Sequence, residues 1–262
     1  MRAEAEHKAD GDAVGVGERR WRDAEGVSAL NDPVAVRREY ADEARLAARI
    51  AAQQQAFTGP DPRQVAFEAV AEAEPQLVLE VGPGRGELAE RIKRELGARV
   101  VAVDQSERMV ELTEARGIEA IVGDVQDLPF RDGIFDVALA AWMLYHVPDV
   151  DLAIRELRRV LRPDGRLVAV TNSVDSMQEL WSMVGHASEY PFGAENGEWS
   201  LLRHFTIVRR RDVRGTLTFP DREAAHRYVS ASPTKAHGAD NLPFFDGPLV
   251  CTRHVVVFVA EP

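Results

Sequence analysis

One cysteine, Cys251, occurs in 262 residues, which excludes an internal disulfide and a cysteine-rich zinc site. It lies beside the apolar Leu249-Val250 and reads as a buried, inert thiol. Positive charge is also in deficit: the balance is −11, and no long Lys/Arg stripe offers the basic surface that nucleic acid needs. The triplet Arg209-Arg210-Arg211 is followed by Asp212 in a strand-like segment and reads as a solvated sheet edge. No apolar run is long enough to span a bilayer, and Met1-Arg2-Ala3-Glu4 places charge where a signal peptide needs an apolar core. The seven histidines are scattered without a His-x-x-x-His or His-Glu-x-x-His pattern, and no Gly-x-Ser-x-Gly elbow occurs. The expectation is a soluble, cytoplasmic protein without metal, membrane or nucleic-acid partner.

What is present is enough apolar sequence, 45%, for one large α/β domain or such a domain with a small appendage. Residues 1–30 are rich in Ala, Gly, Glu and Asp and are expected to be disordered or loosely docked. Helical sequence fills 31–74: Asp32-Pro33 starts one helix reaching about Gln55, and Asp61-Pro62 starts a second that ends before Pro75. Residues 75–262 form the main domain. Strands are expected at Leu77–Val81, at Val100–Val103 ending in Asp104, and at Ile118–Val122, Asp136–Ala141 and Arg166–Thr171. Helices fill the intervals, so the pattern predicts a doubly wound, mostly parallel sheet with right-handed crossovers and helices on both faces. After Thr171 the alternation loosens, and His254–Val259 is a strongly β-prone final strand.

The chemistry centres on Leu77-Val78-Leu79-Glu80-Val81-Gly82-Pro83-Gly84-Arg85-Gly86, a strand running into three glycines before a helix. That order places a ligand at the carboxyl end of the strand. A dinucleotide fingerprint would want glycine at 87, where this chain has Glu87, and the Gly-Lys-Ser/Thr ending of a phosphate loop is absent. The acid before the glycines, Glu80, repels a pyrophosphate and suits a ligand carrying an ammonium group. Asp104, at the end of the second strand, is placed to accept hydrogen bonds from ribose hydroxyls. Asp124, followed by Val125, ends the third, where an adenine edge is readable. Three acids at three successive strand ends describe a site for adenosine joined to something positive.

These stretches resemble the class I S-adenosylmethionine-dependent methyltransferases, of the small-molecule type related to the ubiquinone/menaquinone methyltransferases. The resemblance rests on Leu79–Gly86, Val103–Ser106 with Met109, Gly123–Phe130, Phe135–Val137, Leu144–Asp149 and Arg159–Leu167. It covers roughly 70–172 and is specific for the cofactor rather than the acceptor. It implies a Rossmann-like seven-stranded sheet whose last strand is antiparallel. It implies S-adenosylmethionine as cofactor, with Gly82, Pro83, Gly84 and Gly86 along its methionine part and Glu80 near its ammonium. Asp104 would hold the ribose, Gln105 and Met109 the adenine, Asp124 and Val125 the adenine edge, and Ala141 would offer a carbonyl to the ammonium.

Methyl displacement from a sulfonium needs alignment more than covalent catalysis. His146 reads either as a base or acceptor-orienting group, or as a histidine packed beside Val147-Pro148 at the start of a helix. Trp142 and Tyr145 are core residues or walls of an apolar acceptor pocket. The helical 31–74, with Tyr40, occupies the place of this family's lid, and 173–247 supplies further pocket elements. The expected function is methyl transfer to a small-molecule acceptor. A protein or peptide methyltransferase and a non-catalytic S-adenosylmethionine sensor are the alternatives.

Overall fold

A computed structural model describes residues 57–232 and 235–262. The segment 1–30, the helix expected over 33–55 and Tyr40 lie outside the described residues. Within them, strands and helices alternate from Leu77 onward because short β-branched runs are punctuated by caps. Strand β2 (Leu77–Val81) feeds α2 (Glu87–Leu96), which ends on the left-handed Gly97. Strand β3 (Arg99–Asp104) feeds α3 (Glu107–Glu114), capped by Ser106, whose hydroxyl accepts the Met109 N–H. Strands β4 (Glu119–Val122) and β5 (Phe135–Ala141) follow. Helix α4 (Val150–Val160) is capped by Asp149 and runs into β6 (Leu161–Asn172).

β2, β3, β4, β5 and β6 are mutually parallel, and β8 (Leu249–Glu261) is inserted antiparallel between β6 and β7 (Ile207–Phe219). The expected seven strands with an antiparallel last strand are therefore present. A two-residue strand, β1 (Phe57–Thr58), extends the edge by pairing with β7, giving eight in the order β1-β7-β8-β6-β5-β2-β3-β4. Beyond Thr171, where the sequence alternation loosens, β7 is one long strand of 13 residues. Its Arg209, Arg210 and Arg211 pair with Glu261, Asp212 and Glu72, in keeping with a solvated edge.

The sheet is buried on both faces, which is why its strands are continuous apolar runs. Helix α1 (Pro62–Ala71), capped by Asp61, joins α2 and α3 on one face over Val78, Ala102 and Leu139. On the other face Ile154 and Leu157 of α4, with Phe192 and Phe258, cover Leu79, Val81 and Val103. A third cluster joins the ends of β7 and β8 to α5 (Gln178–Met183) and α6 (Arg222–Ser230). Cys251 is buried there, and desolvation pushes its thiol up to about 12, so it is inert.

Two polar devices fix the strand ends. The Asp136 carboxylate accepts the Gln76 and Leu77 amides at 2.9 and 2.8 Å, setting the start of β2 against that of β5. Arg159 on α4 holds the loop between β4 and β5, donating to the Phe130 and Leu128 carbonyls at 2.7 and 3.0 Å while paired with Glu156 and Asp132. Arg159→Met leaves those acceptors without their donor and should lower unfolding stability by about 2 kcal/mol. Arg159→Lys should recover less than half of that, because one ammonium cannot reproduce the guanidinium fork. Urea denaturation checks both; a change within about 0.5 kcal/mol for the methionine variant would show the clamp to be idle.

Candidate functional site

The three glycines between β2 and α2 have different jobs. All have positive φ: 64° at Gly82, 58° at Gly84 and 73° at Gly86. At Gly86 a Cβ would meet the Thr113 hydroxyl at 2.9 Å and its Cα at 3.1 Å, so this glycine lets the turn pack on α3. At Gly82 the space belongs to Met143, and its amide donates to the Val103 carbonyl at 2.8 Å, tying the turn to β3. At Gly84 nothing lies within 4 Å of where a Cβ would stand. Backbone is thus presented bare to open space at the carboxyl ends of β2 and β3. Pro83 lies half-buried between them, its carbonyl accepting the Gly86 amide.

Two carboxyls flank this cradle. Alternation along β2 turns Glu80 to the α2 side, where it is 2% exposed. It accepts the Ala89 amide near the start of α2, but Oε2 has no partner. Desolvation pushes the group up to about 8, and the nearby charge of Asp104 adds to the shift. Asp104 accepts the Ser106 amide at 2.9 Å and further amides from Gly84 and Gln105, yet burial still pushes it up to about 6. One side chain therefore sets the glycine turn against the start of α3. A buried carboxyl oxygen without a donor is a place for a cationic or hydrogen-bonding ligand atom.

Most of the other expected residues gather at these strand ends. Gln105 is exposed beside Asp104, and Met109 is buried in the first turn of α3. Asp124 is exposed and accepts both nitrogens of Gln126, while Val125 is buried in the core cluster. Ala141, half-buried, ends β5 in register with Val170. Tyr145 and His146 are buried in a single 3-10 turn just past β5, their rings 4.5 Å apart, so His146 has the packing of a structural residue.

Trp142 holds more than its residue type announces. Its φ is 55°, in a region that a bulky side chain rarely enters, and its indole Nε1 is buried without a hydrogen-bond partner. Its amide donates to Val170 at 2.9 Å, which holds the strained backbone in the sheet. Thr113 and Met143, the residues against which the glycines pack, carry no sequence signal. They become visible only when helix and strand are brought together.

An acid-flanked, bare glycine turn at the switch in strand order defines an α/β protein built to hold a nucleoside bearing a positive group. Comparison with known proteins narrows this. The methyltransferase-domain family matches residues 79–169. The demethylmenaquinone methyltransferase of Thermobifida fusca is 37% identical over 177 residues, 65% of this chain and 66% of that one. An uncharacterised methyltransferase of Mycobacterium bovis is 33% identical over 169 residues, 60% of this chain and 67% of the other. The YcgJ protein of Bacillus subtilis has the same fold, with a TM-score of 0.56 at 17% identity over 76% of this chain and 98% of its own. The chain spans about half to two thirds of the length of the curated demethylmenaquinone methyltransferases it matches.

The chain belongs to the class I S-adenosylmethionine-dependent methyltransferases. The geometry fits that cofactor: Glu80 Oε2 lacks a donor, and the open space over Gly84 is what a Cβ would fill. Gly84→Ala should therefore weaken S-adenosylhomocysteine binding at least about tenfold while costing only about 1–2 kcal/mol of stability from the left-handed backbone. Gly86→Ala carries the same strain plus the clash with Thr113, so its stability should fall by about 1–3 kcal/mol more, with a correspondingly lower melting temperature. Calorimetric titration and thermal melts separate the two. Equal affinity losses with equal melts would mean that Gly84 is not the ligand-facing glycine.

Proposed function

We propose that this chain transfers a methyl group from S-adenosylmethionine to a small-molecule acceptor by direct displacement. The observation that carries the reading is the bare backbone of Gly84 between the buried carboxyls of Glu80 and Asp104. When bound, S-adenosylmethionine supplies an activated methyl: the acceptor lone pair bonds to carbon as the carbon–sulfur pair passes to sulfur, leaving S-adenosylhomocysteine.

The chain's own residues bind, orient and exclude water. Glu80 neutralises an ammonium, and Asp104 accepts from ribose hydroxyls. Gln105 and Met109 wall the adenine, whose edge meets Asp124 and the backbone of Val125. Ala141 offers its carbonyl. Trp142, Tyr145 and His146 sit just past β5, and the unpaired indole N–H of Trp142 is a donor available to the reacting end of the site. Two aromatic rings and a buried imidazole in this stretch favour a small-molecule acceptor over a polypeptide, and the Thermobifida fusca relative is named for methylating demethylmenaquinone, a small molecule. His146 would take the proton of a hydroxyl acceptor; a deprotonated acceptor needs no base.

Thermal shift should show stabilisation by S-adenosylmethionine and S-adenosylhomocysteine and none by NAD. Asp104→Ala should weaken the former by about 1–3 kcal/mol through lost hydroxyl hydrogen bonds. Stabilisation by NAD alone overturns the reading, as does absence of cofactor consumption with a panel of phenols, amines and carboxylates.

Glu80 supplies a second test. Without ligand its carboxyl, pushed up to about 8, is mostly protonated at neutral pH. An ammonium favours the ionised form and lowers that value, so binding should release protons between the lowered value and about 8. Titration calorimetry in buffers of different ionisation enthalpy should detect release of about one proton near neutral pH in the wild type and none in Glu80→Gln. Equal release by the variant would assign the proton elsewhere.

A further inference from the structure

S-adenosylmethionine carries an ammonium and a carboxylate on one carbon of its methionine end. The groups set around that end answer only the first: Glu80 and Asp104 are acids, and Ala141 offers a carbonyl. A carboxylate brought beside two carboxyls without a cation is repelled. Its binding requires a positive group and a hydrogen-bond donor at the carboxyl end of β5, in a chain whose net charge is −11.

Helix α1 brings a positive group there. Just past its last turn, Glu72 pairs with Arg211 at 2.6 Å and faces Arg166, near the start of β6, at 3.9 Å. The first turn of α1 therefore stands at the opposite, carboxyl end of the sheet. There the half-buried Arg63 places its guanidinium over Trp142, 6.0 Å from the centre of the ring. The ring face steadies a cation but supplies no full negative charge. Asp61, which caps the helix, has Oδ1 on the Arg63 amide at 2.9 Å. Among the described residues no carboxylate pairs with the Arg63 guanidinium. Arg91 and Arg211, which also touch this helix or its end, are paired with Glu95 and Glu72.

Trp142 brings the donor. Its indole Nε1 is buried without a partner, a cost that no group of the fold offsets. Its backbone is held at φ 55° with the amide on the Val170 carbonyl, and its ring borders the apolar clusters on both faces of the sheet. A side chain that touches both faces stands at the strand ends. A cation and an orphaned N–H thus meet at one ring, next in the chain to Ala141, whose carbonyl is offered to the ammonium.

We infer that Arg63, together with the indole N–H of Trp142, seats the α-carboxylate of S-adenosylmethionine. The inference rests on the methyl-transfer reading and completes its cofactor site. The planar guanidinium gives a carboxylate two parallel hydrogen bonds, and the ring beneath it restricts its freedom. The zwitterion then meets Glu80 with its ammonium and Arg63 with its carboxylate. Two opposite charges fix the direction of the methionine chain, and with it the position of the sulfur.

The test titrates two ligands into the intact protein by calorimetry: S-adenosylhomocysteine and its decarboxylated analogue, the 5′-(3-aminopropyl) thioether of adenosine. The wild type should prefer S-adenosylhomocysteine by about tenfold or more, the scale of one charge-assisted contact. Arg63→Gln should reduce that preference to about twofold or less, and Arg63→Lys should keep part of it. Trp142→Phe, which retains a ring and loses the N–H, should lower the preference about threefold. Affinity for the analogue should stay within about twofold of the wild type in all three variants, which shows their sites intact. Equal affinity of the wild type for the two ligands, an unchanged preference in Arg63→Gln, or an equal loss of both ligands in that variant overturns the seat alone. An unchanged preference in Trp142→Phe removes the indole from it. Failure of the wild type to bind either ligand overturns the methyl-transfer reading and the seat with it.

Discussion

The constraint on which the site depends is that one short turn must satisfy protein on two sides and leave a third side bare. The Gly82 amide is spent on Val103, and Gly86 is pressed against Thr113. Both contacts hold the loop rigidly across β2 and β3, and only Gly84 is left facing space. Asp104 completes the arrangement by collecting amides from Gly84, Gln105 and Ser106 on one carboxyl. The same residue that would read a sugar therefore also builds the floor beneath it. Preorganisation of this kind means that a ligand meets fixed dipoles and does not have to order them on arrival.

Burial gives the two acids their character. A carboxyl at a strand end in a sheet covered on both faces has little water to ionise into, so Glu80 and Asp104 rise together, and the proximity of the two charges adds to the effect at Glu80. Such an acid pair is poorly suited to phosphate and well suited to a cation and hydroxyl donors. Asp124 is different: exposed, it is occupied by Gln126 in a local turn. Its contribution to a site comes through the loop shape it sets as much as through its charge.

The parts of the fold legible in the sequence were those written in local terms. Strand runs, the caps Asp61, Ser106 and Asp221, and the terminating Gly97 each act within a few residues, and the structure places them where local chemistry puts them. The spacing of Glu80, Gly82, Gly84 and Gly86 pointed to a cofactor turn because an acid and glycines at those positions each have a definite physical use. What stayed hidden depends on distant partners. Nothing in the residues around Thr113 or Met143 says that a glycine packs on them. Trp142 gives no local sign of a left-handed backbone, and Asp136 looks like any polar residue until it accepts two amides from β2.

The position of β8 has a consequence for how the protein is made. It lies between β6 and β7, antiparallel to both, yet follows every other strand in the chain. Until it arrives, the inner edge of β6 carries unpaired amides and carbonyls, and β7 has no sheet to join. The parallel half, from β2 to β6, already contains the glycine turn and both buried acids. A nascent chain can thus assemble its cofactor cradle while one flank of the sheet stands open, a state exposed to wrong pairing until the closing strand is threaded into its slot.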